Sequence, residues 1–136
     1  MNFDFVFLGQ SILKYQVPLD IFQSINYIYE SNFNSLEPAN GQLVGKIENE
    51  HSLFYNGEDQ SKMKNHNMLS INITNYFMSV FKHYLSFNKI TEYQTHLNSI
   101  WVNEMKQHEY NPAHIHRGNL FTGLSSVMIL KLPSTF

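Results

Sequence analysis

The chain has 136 residues, 43% hydrophobic and 15% aromatic, which suits one domain with a single packed core. Its charged fraction is 15%, its formal net charge is −2 and Lys and Arg form no run, so a nucleic-acid partner bound by bulk electrostatics is not expected. Because cysteine is absent, disulfides, thiolate catalysis and cysteine-ligated zinc are excluded, and a metal must use nitrogen and oxygen ligands.

The N-terminal segment predicts a strand followed by a helix. Residues 3–17 mix aromatic and branched residues with polar ones ahead of Pro18, a pattern typical of a strand that enters a turn. Apolar residues at helical spacing then predict a helix over residues 20–32. Asp20 and Gln23 have the three-residue spacing of a capping box, so we expect them at the start of this helix.

The middle of the chain predicts a turn, a strand and a second helix. Residues 32–41 carry turn chemistry, and residues 43–48 have the composition of a short strand that can continue to Tyr55. Residues 56–67 are polar and predict a surface loop. A broad apolar stripe predicts a core-facing helix over residues 71–86. The stripe consists of Ile73, Tyr76, Phe77, Val80, Phe81, Tyr84 and Leu85.

The periodicity changes from helix to strand after Asn88. Along residues 95–105, Trp101 and Asn103 share one face, while Ile100 and Val102 point to the other. Both faces are partly apolar, so we expect an inner strand. Because a lone tryptophan on a strand is a large apolar anchor, we expect Trp101 to pack in the core.

The remaining residues predict further strands. A loop over residues 104–112 precedes a short extended piece at 113–116, a turn at 117–119 and a long apolar strand at 124–132. Helices that precede strands favour an α+β domain over residues 1–136, with the helices packed on a sheet.

Two histidines one residue apart, His114 and His116, are the most suggestive feature of the chain. Alternate residues of a strand project from one face, so both imidazoles could bind a single metal ion. The pair by itself is weak, because seven histidines placed at random would give roughly 0.35 such pairs per chain. The alternative is a surface turn with two solvated imidazoles.

Other residues near the pair could complete a site. Glu104 and Glu109 are candidate carboxylates, His96 and His108 are candidate third imidazoles, and Arg117 could bind an acidic substrate. The spacing does not choose among them.

The surroundings of the histidine pair resemble a known family. Trp101-Val102-Asn103, then residues 111–116 (NPAHIH), then residues 120–130 (LFTGLSSVMIL), closely resemble the iron(II)- and 2-oxoglutarate-dependent oxygenases. More narrowly, the pattern is similar to a branch from marine bacteria and their viruses (phages), in which a Trp-x-Asn strand precedes a His-x-His turn. Residues 43–47 look like the earlier strand of that family.

The resemblance implies a double-stranded β-helix, or jelly roll, with helices packed on one sheet. It implies Fe(II) and 2-oxoglutarate as cofactors, with His114 as the first iron ligand. His116 would occupy the position that holds Asp or Glu in most of the wider superfamily. Independently of the resemblance, Asn103 shares the face of Trp101, so its amide could bind the cofactor or a metal ligand; the alternative is a polar residue at a strand end that is hydrogen-bonded locally.

The chain also departs from the family. The family places a distal histidine and a basic residue on later strands, but no His, Asp or Glu follows His116. At most four or five strands are predicted, against about eight in a jelly roll. We therefore expect the N-terminal portion of an oxygenase, a hydroxylase-type enzyme that is incomplete as an isolated chain. A homodimer could close the open sheet edge.

Two other functions remain open at this point. One is a non-catalytic jelly-roll-like binding or assembly module with incidental histidines, and the other is a cupin-like metal enzyme that does not use 2-oxoglutarate. The substrate, a small molecule or a protein, is not specified by the resemblance. No window is apolar and long enough to span a bilayer, and the N-terminus lacks a basic region, so we expect a cytoplasmic protein with no membrane partner.

Overall fold

Two α-helices and a three-stranded antiparallel sheet form the main regular structure of residues 11–42, 45–56, 67–114 and 123–134, the part of the chain that the computed structural model describes. The elements are α1 (Leu19–Asn32), β1 (Glu37–Pro38), β2 (Asn49–Tyr55), α2 (Ile71–Phe87) and β3 (Ser99–Glu104). Short 3-10 helices cover Phe33–Ser35 and Asn40–Gln42. The α+β class is thus confirmed, whereas three strands in an open sheet leave the jelly roll a prediction.

Helix α1 begins one residue before its predicted range of 20–32, and Asp20 does not cap it. The residue before its first turn is Pro18, whose carbonyl accepts a 3.0 Å hydrogen bond from the Phe22 N–H. Asp20 lies inside the first turn, so the capping-box prediction is wrong; its charge is still favourable near the positive end of the helix dipole. Ile21 and Ile25, one turn apart, are both buried, and they fix the face that packs on the sheet.

Helix α2 confirms the predicted apolar stripe. Ser70 caps it by accepting a hydrogen bond from the Ile73 N–H. Ile73 and Leu85 are buried, and the other stripe residues are half-buried, so the stripe packs inward as expected for a core-facing helix. No helix in the described ranges has both the length and the apolar character that a membrane crossing requires.

The sheet has the order β1-β2-β3, with β2 in the centre. Val102 of β3 pairs with His51 of β2, and Trp101 pairs with Ser52. Leu53 is an extra residue in this ladder, a β-bulge, because Phe54 pairs with Ile100. Strand β3 is an edge strand of the described sheet, so the prediction of an inner strand there is wrong.

The core lies between the helices and one face of the sheet. It is built from six buried apolar side chains: Ile21, Ile25, Leu36, Leu53, Leu69 and Ile73. Ile100 and Val102 pack against this cluster from β3, as their predicted orientation required. On the same side, the His51 ring lies 4.7 Å from the Phe33 ring. We call this side of the sheet the helix face.

Three predicted strands differ from the structure. Of residues 43–48, residues 43–44 lie outside the described residues and Lys46 forms an isolated bridge with Tyr110; the strand runs over Asn49–Tyr55, which confirms the continuation to Tyr55. Residues 11–18 and 123–134 belong to no helix or strand, although Met128 and Leu130 pack against the core. The start of the first predicted strand, at residues 3–10, lies outside the described residues.

Candidate functional site

Four side chains define the opposite side of the sheet, which we call the outer face. Glu50 and Ser52 alternate with the core-facing residues of β2, and Asn103 and Trp101 are their partners on β3. Residues directly opposite each other in an antiparallel pair project to the same side, so Glu50 lies beside Asn103 and Ser52 beside Trp101. The face therefore combines a carboxylate, an amide, a hydroxyl and an indole.

Glu50 is the buried charged residue of this face. It is 7% exposed, and its Oε2 atom is shielded from solvent without a hydrogen-bond partner among the described residues. Burial raises the pKa of its carboxyl above the usual value, and the nearby His114 imidazole acts in the opposite direction. A buried carboxylate oxygen that lacks a partner is costly to the fold, by about 1–3 kcal/mol. Such an atom needs an explanation.

His114 lies in the loop after β3, and its imidazole, when charged, lowers the pKa of the Glu50 carboxyl. Its Nδ1 atom is 2.7 Å from the Pro112 carbonyl oxygen. Because a carbonyl can only accept, Nδ1 donates this hydrogen bond, and in the neutral ring the lone pair is then on Nε2. A backbone carbonyl that orients one ring nitrogen in this way is the usual support of a metal-binding histidine.

The loop that carries His114 is packed against the chain just before β2. Lys46 and Tyr110 exchange two backbone hydrogen bonds of 2.9 and 3.0 Å. Gly45 permits this approach, since a Cβ atom there would collide with the Tyr110 carbonyl oxygen and lie 2.8 Å from Pro112 Cδ. The Pro112 carbonyl, and with it the orientation of His114, is thereby held near β2.

Glu109, a predicted metal-ligand candidate, has a structural role instead. Its Oε1 accepts a 3.0 Å hydrogen bond from the Glu48 N–H, and its Oε2 accepts one of 2.7 Å from the Lys106 N–H. These bonds lower the pKa of the Glu109 carboxyl. The Lys106 ammonium also pairs with Glu48 at 2.8 Å. The carboxylate thus joins the loop after β3 to the residues before β2.

Glu104, the second carboxylate candidate, points to the helix face. Its Oε2 accepts hydrogen bonds of 3.3 Å from the Tyr29 hydroxyl and the Asn49 amide. Burial, together with the charge of Glu104, raises the pKa of Tyr29 to about 12. The bonds to Tyr29 and Asn49 tie β3 to α1 and β2, and they direct Glu104 away from the outer face.

The two candidate third imidazoles also lie apart from this arrangement. His96 donates through Nε2 to the Asn56 carbonyl oxygen at 3.0 Å, in a groove lined by Ile71, Thr74 and Met78 of α2. His108 is exposed in a turn with a φ of 68°. Across the described ranges, no three His, Asp or Glu side chains are grouped so that they could hold a metal ion.

The remaining predicted site residues have mixed outcomes. His116 and Arg117 lie outside the described residues. Asn103 shares the outer face with Trp101, as predicted; it is exposed and pairs with Glu50 of β2. Trp101 is 38% exposed on that face, so the prediction that it packs in the core is wrong. The position of Trp101 on the outer face follows from the alternation along β3, because its neighbours Ile100 and Val102 lie on the helix face.

Glu50 is the residue that the sequence did not reveal. Residues 49–52 read Asn-Glu-His-Ser, and all four are polar, so alternation gives no sign that one of them is buried. A usable signal is the position of Glu50 in the strand that pairs with the Trp-x-Asn strand.

Comparison with family models, curated proteins and solved structures finds no match to this chain.

Proposed function

We propose that this chain is an iron(II)/2-oxoglutarate-dependent oxygenase of the hydroxylase type, with His114 and His116 as metal ligands and Asn103 as a cofactor-binding residue. The Trp-x-Asn and His-x-His motifs of the sequence support the proposal. The observation that carries it is the 2.7 Å contact from His114 Nδ1 to the Pro112 carbonyl, which assigns the lone pair of the unprotonated ring to Nε2.

The chain's own residues fit such a cation. When the His114 ring is unprotonated, its hydrogen bond from Nδ1 to the Pro112 carbonyl selects the tautomer that has its lone pair on Nε2, the form that binds a metal. Asn103 offers an amide that can donate to a carboxylate oxygen of 2-oxoglutarate and accept from a water. Bound iron(II) with 2-oxoglutarate would supply the activation of dioxygen that hydroxylation requires.

A metal titration tests the proposal. Purified apo-protein is titrated with Co(II) under anaerobic conditions, and the visible absorption of the bound ion reports occupancy. We expect binding by the wild type, loss of binding by His114→Ala, and unchanged binding by His108→Ala, an exposed histidine of the same loop. Absence of binding by the wild type, or unchanged binding by His114→Ala, would contradict the proposal.

A second measurement separates an oxygenase from a cupin-like metal enzyme. A ligand that binds the folded state alone stabilises it by about 2.7 kcal/mol at one hundred times its Kd. 2-Oxoglutarate should therefore raise the melting temperature of the Co(II)-loaded protein, whereas succinate at equal concentration should raise it less. Metal binding without this response would favour a site that does not use 2-oxoglutarate.

A binding or assembly module is the second candidate, and the exposed apolar residues favour it. Trp101 is 38% exposed on an edge strand of the described sheet, and Val127 and Ile129 are exposed as well. Exposed strand edges invite pairing with another chain, here a second copy. Sedimentation of the metal-free protein tests this: a dimer that dissociates on Trp101→Lys supports the module if the wild type also binds no Co(II), and a monomer at all concentrations contradicts it.

A further inference from the structure

We infer that the Glu50 carboxylate is the oxygen ligand of the metal ion that His114 binds. The inference rests on the proposed function, which supplies His114 as a nitrogen ligand. Glu50 belongs to the central strand β2, and His114 lies in the loop that follows β3. In this site Glu50 is the ligand from the sheet, and His114 is the ligand from the loop after β3.

The burial of Glu50 calls for a compensating partner. Glu50 is 7% exposed, and its Oε2 atom has no hydrogen-bond partner in the described ranges. Removing an ionised carboxylate from water is unfavourable unless a cation or hydrogen-bond donors compensate it. A divalent cation beside His114 would compensate Oε2 directly. Without one, β2 carries a destabilising charge at its second residue.

The carboxylates that neighbour Glu50 have hydrogen-bond or ion-pair partners. Glu48 pairs with Lys106, Glu104 accepts from Tyr29 and Asn49, and Glu109 accepts from two backbone N–H groups. Those three acidic residues have contacts that account for their positions in the fold. Glu50 differs because its buried Oε2 has no such contact among the residues that the structure describes, which makes it the candidate oxygen ligand.

A carboxylate also suits the chemistry of such a metal site. Sites that bind iron(II) and related ions for oxygen chemistry combine imidazole nitrogens with one carboxylate and leave other positions open. The proposed function names imidazoles but no carboxylate. Glu50 supplies an anionic oxygen from outside the His-x-His motif. Asn103, directly across the ladder from Glu50, adds an amide that can hydrogen-bond the carboxylate or a group bound with it.

Co(II) titrations of four proteins, each confirmed as folded by circular dichroism, test the inference. They are the wild type, Glu50→Gln, Glu50→Asp and Glu48→Gln, a matched control that changes an exposed carboxylate two residues earlier. We expect Glu50→Gln to weaken Co(II) binding at least tenfold and to change its absorption spectrum. Glu50→Asp should restore part of the affinity, and Glu48→Gln should match the wild type.

The outcomes separate the inference from the proposed function. If His114→Ala abolishes Co(II) binding while Glu50→Gln binds with unchanged affinity and spectrum, Glu50 is not a ligand, and the proposed function stands. If the wild type binds no Co(II), the inference fails together with the proposed function. An equal loss in Glu48→Gln would also overturn it, because the effect would then be one of general charge.

Discussion

Replacing Glu50 with glutamine is expected to stabilise the metal-free protein at neutral and alkaline pH. The wild-type carboxylate is buried on β2 with an unpartnered Oε2, and burial raises its pKa above the usual 4.5. The folded state therefore holds the Glu50 proton more tightly than the unfolded chain does. Stability associated with this proton is complete below about pH 4.5 and is lost as the pH rises through the folded-state pKa.

The size of the effect follows from the cost of the unpaired oxygen. A buried charged group without its partner costs about 1–3 kcal/mol, and the glutamine amide keeps part of that cost, since its own NH₂ group is also buried. We expect a gain of about 1–2 kcal/mol at pH 8. The unfolding entropy of a 136-residue domain is about 0.3 kcal/mol per kelvin, so the melting temperature should rise by about 3–7 °C.

Thermal unfolding in the presence of a chelator measures this difference. Wild type and Glu50→Gln are compared at pH 8 and pH 4, with Glu30→Gln, an exposed carboxylate on α1, as the control. The gain should appear at pH 8 and shrink towards zero at pH 4, where the wild-type carboxyl is protonated. A variant less stable than the wild type at pH 8, or a gain independent of pH, would refute the argument from burial.

Three further predictions concern the surroundings of the outer face. Gly45→Ala should lower the free energy of unfolding by about 1–3 kcal/mol in urea, because its Cβ collides with the loop that carries His114; unchanged stability would mean that the loop is not packed there. In an alkaline titration followed by absorbance at 295 nm, the difference between the wild type and Tyr29→Phe should have its midpoint near pH 12, and Glu104→Gln should lower this pKa. The stability associated with the Tyr29 proton should be lost as the pH rises above about 10. A midpoint near pH 10 would refute the buried Tyr29–Glu104 pair. Glu109→Gln should speed hydrogen exchange at the Glu48 and Lys106 amides, which donate to the Glu109 carboxylate. Because the pKa of Glu109 is lowered, the carboxylate's contribution in the wild type should also be lost as the pH falls through that pKa. Equal exchange rates in the wild type and Glu109→Gln would refute the role of Glu109.

The sequence predicts the helices better than the sheet. The range of α2 differs from its prediction by one residue, because an apolar stripe at i, i+3 and i+4 is a local property of the chain. Strand β2 lies six residues later than the predicted start, since its position depends on pairing with β1 and β3. Those partners are distant in sequence, and local composition does not specify them.

The candidate site divides in the same way. The orientations of Ile100, Val102 and Asn103 follow from the period of two along β3, and the structure confirms them for the core-facing pair. The exposure of Trp101 and the burial of Glu50 depend on what covers the outer face, which alternation does not indicate. Polar strand residues have no hydrophobic pattern from which burial could be read.

The bulge at Leu53 limits how the sheet can change in evolution or by design. An ordinary ladder can slide by two residues and keep the same faces, but an extra residue in one strand gives the pair a single matching alignment. Sliding β2 past β3 would force the bulge to dissolve and re-form elsewhere, with Leu53 drawn out of the interior. The number of residues along the ladder between the bulge at Leu53 and the Glu50–Asn103 pair is therefore fixed. Redesign of the outer face can change its side chains without losing the alignment of β2 with β3.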